Sequence, residues 1–278
     1  MTVWSVTPLF NELDLLEVRL RELDGVVDIH VICESPVTYA GALKPLHYAE
    51  QRDRFEEWEH KIRYVVSTEL RADTLQRTGD RVRWQRENGQ RASLGAALDG
   101  LSPTDVVILS DLDEIPRASL VERYRRGDWR GLIAPQVPMY LYRVGLRIDA
   151  DQASLLRLGR GRDLRGSPED LRRAPARRLR ASRPAEFGWH LSYFGGVDAV
   201  RYKVAQAAHP EENIAAWVDP ANLADCIATG RDHRANRTHA VLSVGTDEWP
   251  DSVRGNEVAL RTMIDPVRFP ADRLLLGV

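Results

Sequence analysis

The chain has 278 residues, 43% of them hydrophobic, so it can bury a sizeable core as one large domain or a domain with a small appendage. Its formal charge of −2 gives no reason to expect a nucleic acid or an anionic membrane as partner. No stretch reaches the roughly 18 uninterrupted apolar residues of a membrane span, and the first residues lack the features of a secretory signal. We therefore expect a cytoplasmic protein, and the two cysteines, Cys33 and Cys226, fit a reduced compartment.

The first residues alternate between strand-like and helix-like segments. Residues 3–10 predict a strand, residues 11–23 carry leucines at helical spacing, and residues 26–33 are strand-like again. A strand, a helix and a strand within about thirty residues form one βαβ unit. A parallel sheet is therefore expected from the start of the chain.

The middle of the chain continues the alternation. Residues 106–109, Val-Val-Ile-Leu, form a continuous apolar run, which is typical of a central strand buried on both faces. The fold class that follows is α/β, with a mostly parallel sheet flanked by helices. The other predicted elements are helices at 51–60, 84–98 and 116–126, a strand at 62–66, and two strands within 131–148.

Ten arginines lie between residues 157 and 183. Within this stretch, Ser167 as N-cap and Pro168 in the first turn predict a short helix. Lysine occurs only at positions 44, 61 and 203, so arginine is the general preference of this chain and its clustering is a weak signal. The stretch is interpreted as a solvated surface loop, with a non-catalytic protein that binds an anionic polymer as the alternative.

Three carboxylates follow the apolar run directly, in the sequence "DVVILSDLDEIP" at 105–116. They are Asp111, Asp113 and Glu114, at the end of a strand where open α/β sheets place their ligand crevice. In an extended turn Asp111 and Asp113 point to the same side and can share one divalent cation that keeps open positions for phosphate oxygens. This arrangement suits a nucleotide diphosphate, whose charge the cation neutralises as a sugar–phosphate bond breaks.

Two other interpretations of these acids stay open. They can begin a helix at residues 115–116, where acids favour the helix dipole. A phosphatase of the haloacid dehalogenase type also ends a strand with Asp-x-Asp, and its first aspartate, here Asp111, would be the nucleophile. That motif usually lies near the N-terminus and continues with Thr or Val, so it fits poorly.

Several segments, in order, resemble glycosyltransferase family 17, the family of the β-1,4-mannosyl-glycoprotein 4-β-N-acetylglucosaminyltransferases. The resemblance covers most of residues 4–240. The segments are "FNELDLLEVRLRELDGVVDIHVICES" at 10–35, "WQRENGQR" at 84–91, "DVVILSDLDEIP" at 105–116, "GWHLSYFGG" at 188–196 and, more weakly, "AHPEEN" at 208–213 and "GRDHRANR" at 230–237.

The resemblance implies a Rossmann-like GT-A fold in a single domain over residues 1–278. Its nucleotide and metal half would span about 1–130 and its acceptor half about 131–278. The activity implied is transfer of a GlcNAc-like sugar, with inversion, from a UDP-linked donor to a hydroxyl acceptor. A divalent cation, Mn²⁺ or Mg²⁺, is implied as cofactor.

The metal ligands implied by the resemblance are Asp111, Asp113 and His209. Asp113 would bind the metal directly, and Asp111 would contact metal-bound water or the ribose. Glu114 would orient the loop, and His209 would complete the metal shell or contact the diphosphate.

The implied donor pocket draws on two strand ends and one helix. Phe10, Asn11 and Glu12 follow the first strand and Glu34 ends the second, although capping and turn formation explain such residues equally well. Arg86 and Gln90 are four apart, so they share a helix face that would reach the nucleotide or the acidic loop. An exposed helix face is the alternative.

The segment "GWHLSYFGG" combines aromatic residues with glycines. Gly195 and Gly196 allow close approach of the backbone to a ligand, and Trp189 and His190 would contact donor or acceptor. Aromatic residues in a packed core are the alternative.

An inverting transfer also needs a general base for the acceptor hydroxyl. Glu211 is the first candidate, with Glu212 and Asp198 in reserve, although "HPEE" is also typical of a helix start.

The best-known family members are membrane-anchored enzymes of the secretory pathway, and this chain shows no anchor. We therefore expect a bacterial-style cytoplasmic enzyme whose acceptor is a metabolite, a lipid-linked precursor or a natural-product scaffold.

Overall fold

The structure is a computed structural model that describes residues 1–67, 79–149, 155–164, 167–208, 211, 213–234 and 240–270. The strands are β1 (Val3–Leu9), β2 (Ile29–Glu34), β3 (Ile62–Val66), β4 (Val106–Leu109), β5 (Glu114–Pro116), β6 (Ile133–Pro135), β7 (Met139–Leu141), β8 (Leu146–Ile148), β9 (Arg157–Arg160), β10 (Arg177–Leu179), β11 (Gly188–Ser192) and β12 (Val241–Ser243). The α-helices are α1 (Leu13–Leu23), α2 (His47–Glu50), α3 (Asp80–Ser93), α4 (Ala118–Arg126), α5 (Pro168–Arg173), α6 (Val197–Gln206), α7 (Pro220–Thr229), α8 (Asp251–Arg254) and α9 (Arg261–Ile264). Short 3₁₀ helices span Arg52–Lys61, Leu94–Ala97, Gly161–Asp163 and Thr246–Glu248.

The larger sheet has the strand order β10-β6-β9-β4-β1-β2-β3. Strands β4, β1, β2 and β3 are parallel neighbours, whereas β9 runs antiparallel to β4 and β6. The predicted βαβ unit is β1, α1 and β2. The α/β fold with a mostly parallel sheet flanked by helices is confirmed, and it is compatible with a Rossmann-like GT-A fold.

The two central strands of this sheet are buried along their whole length. Every residue of β1 and of β4 is buried, as the continuous apolar run at 106–109 predicts for a strand covered on both faces. Helix α1 covers one face with leucines spaced three and four apart, and Leu13, Leu16 and Leu20 are at most 1% exposed. The carboxyl ends of β1 and β4 therefore lie side by side.

A second sheet of five strands, ordered β12-β8-β7-β11-β5, is mainly antiparallel and was not predicted. The prediction of a helix from residue 116 is wrong at its start, because Glu114–Pro116 form β5 and α4 begins at Ala118. Gly188 makes this pairing possible. Its φ is +137°, and a Cβ there would lie 2.2 Å from the carbonyl oxygen of Ile115. The acids before β5 consequently do not begin a helix.

Two further predictions about local structure need correction. Residues 131–148 form three strands instead of two, because β6 joins the larger sheet while β7 and β8 join the smaller one. The arginine-rich stretch is not a loop throughout, since it contains β9, α5 and β10, and Leu158 is fully buried. Most of its described arginines are exposed, as expected for a solvated segment: Arg162, Arg173, Arg177, Arg178, Arg180 and Arg183. Its predicted helix is confirmed, with the backbone N–H of Asp170 donating to Ser167 Oγ at 3.2 Å.

One hydrophobic cluster joins the two halves of the chain. Leu9 and Leu16 from the first half pack in the same cluster as Tyr140, Trp189 and Leu260 from the second. The division into a nucleotide half and an acceptor half stays a prediction. Among the residues described, no helix combines the length and the apolar character needed to span a membrane.

Candidate active site

The acidic loop lies between β4 and β5, at the carboxyl end of the larger sheet. The fully buried side chain of Arg19, on α1, holds the backbone of this loop. The Arg19 guanidinium donates to the carbonyl oxygens of Asp111 at 3.4 Å and Glu114 at 3.0 Å, and to Ser5 Oγ at 3.1 Å. Burial lowers the pKa of Arg19 to about 10, with nearby acids opposing the shift, so the side chain stays charged at neutral pH.

The loop faces a cavity of about 560 Å³, a size typical of small-molecule sites. Its lining mixes both signs of charge with aromatic rings. The charged lining residues are Glu12, Glu87, Asp111, Asp113, Arg91, Arg172, Arg173, Lys203 and Arg234, and the ring-bearing ones are Phe10, Tyr39, Trp84, His190 and Tyr193.

Asp111 is held by two arginines. Arg91 Nη2 lies 2.9 Å from its Oδ1, and Arg172 Nη2 lies 2.6 Å from its Oδ2. Burial by itself would raise the pKa of Asp111, but the two guanidinium groups outweigh burial and hold the pKa below its ordinary value. The carboxylate is therefore ionised, with both oxygens engaged.

Asp113 is paired with a lysine and a histidine. Its Oδ2 accepts a hydrogen bond from Lys203 Nζ at 3.1 Å and lies 3.7 Å from His190 Nε2. The same ammonium is 3.6 Å from Glu12 Oε1. Burial would raise the pKa of Asp113, yet Lys203 and His190 together hold it far below its usual range. Burial opposes protonation of Lys203, and Asp113 and Glu12 overcome it and raise its pKa.

The chemistry of this donor set fits a hard divalent cation. Asp113 Oδ2 and Glu12 Oε1 lie 3.1 and 3.6 Å from the same Lys203 ammonium, so a cation held by both carboxylates would displace that ammonium. The described residues contain no group of three or more His, Cys, Asp or Glu side chains placed to hold a metal. A cation such as Mg²⁺ is commonly bound by only one or two carboxylates together with water and substrate phosphates, and these two carboxylates meet that requirement.

The structure brings together five of the predicted site residues. Phe10 and Glu12 after β1, Asp111 and Asp113 after β4, and His190 on β11 all line the cavity. The cavity lining does not include these other predicted residues: Asn11, Glu34, Arg86, Gln90, Trp189, Gly195, Gly196, Asp198 and Glu211. Their functional roles stay predictions. His209 and Glu212 lie outside the described residues.

Gln90 and Arg86 fix an aromatic part of the wall. Gln90 Nε2 donates to the carbonyl oxygens of Leu9 and Cys33, each at 2.8 Å, and so ties the ends of β1 and β2 together. Gln90 Oε1 accepts from Tyr39 Oη at 2.9 Å, and Arg86 donates to the Tyr39 carbonyl oxygen at 2.8 Å. Tyr39 in turn stacks on Phe10, with ring centroids 5.8 Å apart.

Trp189 and Gly196 take part in local packing. The Trp189 ring is fully buried, and its Nε1 donates to the carbonyl oxygen of Glu248 at 2.6 Å. Gly196 has φ +89°, and a Cβ there would lie 2.9 Å from the carbonyl oxygen of Pro266. The close approach at this glycine is therefore to the protein's own backbone.

Sequence reasoning missed several residues of the cavity wall. On α3 it chose Arg86 and Gln90, whereas Trp84, Glu87 and Arg91 line the cavity from one face, spaced three and four apart. The rarity of lysine was an available signal for Lys203. Arg172, from the arginine-rich stretch, gave no signal of its own that separated it from the other arginines.

The family model described as glycosyltransferase family 17 matches residues 2–235, which is most of the chain and contains the whole acidic loop. The chain belongs to glycosyltransferase family 17. The resemblance noted from the sequence segments is thus confirmed.

Three mammalian relatives of this family 17 member carry the name β-1,4-mannosyl-glycoprotein 4-β-N-acetylglucosaminyltransferase. The human and rat proteins are each 38% identical to it and the mouse protein 37%, over 112 residues. The match covers 38% of this chain and 20% of each relative. The chain therefore matches about a fifth of the length of these relatives. Its predicted bacterial source and cytoplasmic location stay predictions.

Proposed function

We propose that this family 17 protein transfers a GlcNAc-like sugar, with inversion, from a UDP-linked donor to a hydroxyl acceptor. The observation that carries the proposal is the ionised Asp113, set at the carboxyl end of a central parallel strand and facing a cavity of about 560 Å³. Family membership supports sugar transfer, and the names of the three relatives support GlcNAc as the sugar. The acceptor class stays as predicted from the sequence.

Charge explains why such a site needs cations. When the bond between the sugar and the diphosphate breaks, negative charge develops on the leaving oxygen, and preorganised positive charge stabilises it. A divalent cation, Mn²⁺ or Mg²⁺, when bound at Asp113 and Glu12, would supply Lewis-acid stabilisation of this kind. Asp111, held by two arginines, would keep the loop in the orientation that presents Asp113.

The general base belongs to the proposal as well. Asp111 is paired with two arginines and Asp113 with Lys203, and these positive side chains make both carboxylates poor proton acceptors. The base would therefore be a different carboxylate. Glu211 remains the first candidate, with Asp198 and Glu212 in reserve. Replacing Glu211 with Gln is expected to lower the turnover number and leave donor affinity unchanged. An unchanged turnover number would move the assignment to Asp198 or Glu212.

The two rival functions have less support. A phosphatase nucleophile needs an available carboxylate oxygen, whereas Arg91 and Arg172 engage both oxygens of Asp111. An anion-binding surface would use the exposed arginines of the stretch, such as Arg177, Arg178 and Arg180. Arg172, by contrast, is only 9% exposed and lines the cavity with Arg173. Phosphate release from simple phosphoesters would favour the phosphatase. Steeply salt-dependent binding to nucleic acid would favour the anion-binding protein.

Donor screening tests the proposal directly. We expect UDP-GlcNAc to raise the melting temperature more than GDP- or dTDP-sugars, with a larger shift when Mn²⁺ is present, because a ligand of the native state stabilises it. The enzyme should then release UDP in the presence of an acceptor or water. Absence of any nucleotide-dependent shift, with and without Mn²⁺, would contradict the proposal.

A further inference from the structure

Two cations meet at one tyrosine in the wall of the cavity. Lys203 Nζ lies 5.8 Å from the centroid of the Tyr193 ring, and Arg234 Cζ lies 5.1 Å from it. Arg234 Nη1 is also 3.5 Å from the hydroxyl oxygen of Tyr193. All three residues line the cavity that Asp113 faces. Two cationic side chains therefore lie beside the acidic loop.

Each cation is held in place by carboxylates. Lys203 Nζ lies 3.1 Å from Asp113 and 3.6 Å from Glu12, and a divalent cation bound by these carboxylates would displace it from them without removing it from the cavity wall. Arg234 forms a bidentate pair with Asp232, with Nε to Oδ1 and Nη2 to Oδ2 both at 2.9 Å. Both partners of this second pair are buried, Arg234 at 3% and Asp232 at 6% exposure. Arg234 Nη1 is directed towards the hydroxyl of Tyr193, and both residues line the cavity.

The backbone of Tyr193 has an uncommon conformation, shared with Tyr142 and Ala185, and of these three only Tyr193 lines the cavity. Its φ is +61°, in the left-handed region that residues other than glycine seldom adopt. Strain of this kind persists only where the surroundings fix it, and it clusters at ligand-binding positions. Here the ring lies within 6 Å of both cations, directly after β11, the strand that carries His190.

We propose that Lys203 and Arg234 bind the diphosphate of the donor, with both cations packed on the Tyr193 ring. This inference rests on the proposed transferase function. In the transfer the bond between C1 of the sugar and the diphosphate oxygen breaks, and its electron pair stays on the diphosphate. The acceptor oxygen forms the new bond to C1, and its proton passes to the general base. Lys203 and Arg234 would neutralise the charge that the departing diphosphate gains.

The test compares UDP, UMP and uridine as ligands by isothermal titration calorimetry, once with Mn²⁺ and once with EDTA. The wild-type protein should bind UDP more tightly than UMP, and UMP more tightly than uridine. Lys203→Met and Arg234→Met should each weaken UDP binding by about 10- to 100-fold, the usual effect of a hydrogen bond to a charged group. Uridine binding should be unchanged in both, because uridine lacks the phosphates that these cations would bind.

Matched controls separate binding from folding. Arg231→Met removes an exposed arginine that is paired with Asp225 outside the cavity, and it should bind UDP like the wild type. Lys203→Arg keeps the charge and should retain most of the UDP affinity. If Lys203→Met does not fold, the Lys203→Arg and Arg234→Met variants still carry the test.

The outcomes also separate this inference from the proposed function. If the wild type binds UDP and the methionine variants bind it equally well, Lys203 and Arg234 do not recognise the diphosphate, and the transferase proposal is unaffected. If the wild type binds UDP under neither condition and no nucleotide sugar shifts its melting temperature in the donor screen, the proposed function itself is overturned.

Discussion

Two carboxylate–lysine pairs occupy similar places in the larger sheet and differ in what surrounds them. Glu34 ends β2 and bonds to Lys44 at 2.8 Å, while Asp113 follows β4 and bonds to Lys203 at 3.1 Å. The side chains of the first pair are 0% and 1% exposed, and those of the second are 11% and 29% exposed. The sequence alone predicted both acids as site residues.

The difference lies in the remaining partners. Glu34 also accepts hydrogen bonds from the backbone N–H groups of His47 and Tyr48 and from the hydroxyl of Tyr64, at 2.7, 3.1 and 2.9 Å. A carboxylate with this many donors has little capacity left for a ligand. Asp113 instead faces the cavity. An acid at the end of a parallel strand is thus a binding residue only where no neighbouring segment closes over it.

The largest effect is expected from Asp113→Asn. The change removes the charge that would hold a cation and that orients Lys203, so UDP release from UDP-GlcNAc should fall by about 10²- to 10³-fold or more. The melting temperature should change little, because the Lys203 ammonium keeps its ion pair with Glu12 and its contact with solvent. Asp128→Asn, on an exposed residue that pairs with Arg123, is the matched control. Full activity of the Asp113 variant would defeat the metal and donor assignments together.

The closed pair should respond in stability instead. Glu34→Gln leaves Lys44 as a buried charge without its carboxylate, so the free energy of unfolding should fall by about 3–5 kcal/mol in urea denaturation. The double change Glu34→Gln with Lys44→Met should recover much of this loss, because a buried pair replaced as a unit is often neutral. If the Glu34→Gln variant keeps the free energy of unfolding of the wild type but loses UDP affinity, Glu34 is a donor-binding residue and the comparison fails.

A smaller effect on activity is expected from Arg172→Met. Asp111 keeps Arg91 but loses one of its two guanidinium partners, so the acidic loop is less well oriented. Replacing a residue that orients a ligand-binding side chain typically lowers activity by about 10- to 100-fold. We expect a loss of turnover at the lower end of this range, because Arg91 remains. Arg178→Met, an exposed position in the same arginine-rich stretch, should have no effect on turnover.

The smallest effect concerns pH and the closed pair. Burial and then Lys44 lower the pKa of His47 to about 4. Between pH 4 and the unfolded value of about 6.5, the unfolded chain binds a proton that the native state does not, so stability falls as pH drops through this window. The slope from one such group is at most about 1.4 kcal/mol per pH unit. His47→Gln should flatten the dependence, whereas His60→Gln, at an exposed position, should not.

Local pattern predicted much of the framework. The burial of residues 106–109 and the βαβ unit at the start of the chain depend on periodicity and on β-branched or leucine side chains, which act over a few residues. The same reasoning failed at 116, because the partner that makes Glu114–Pro116 a strand is Gly188, more than seventy residues away. It also failed to separate Arg172 from its neighbours, since only the packing of α5 against the acidic loop buries it.

The sequence by itself determined that acids follow a buried strand, because side-chain volume and spacing specify individual strands locally. It also determined membership of family 17. Only the tertiary structure decided which acid is closed by its surroundings and which faces a cavity. Lys203 is 90 positions from Asp113 and Arg172 is 61 from Asp111. Pairings over such distances depend on how whole helices pack on the sheet edge, and no local pattern encodes that.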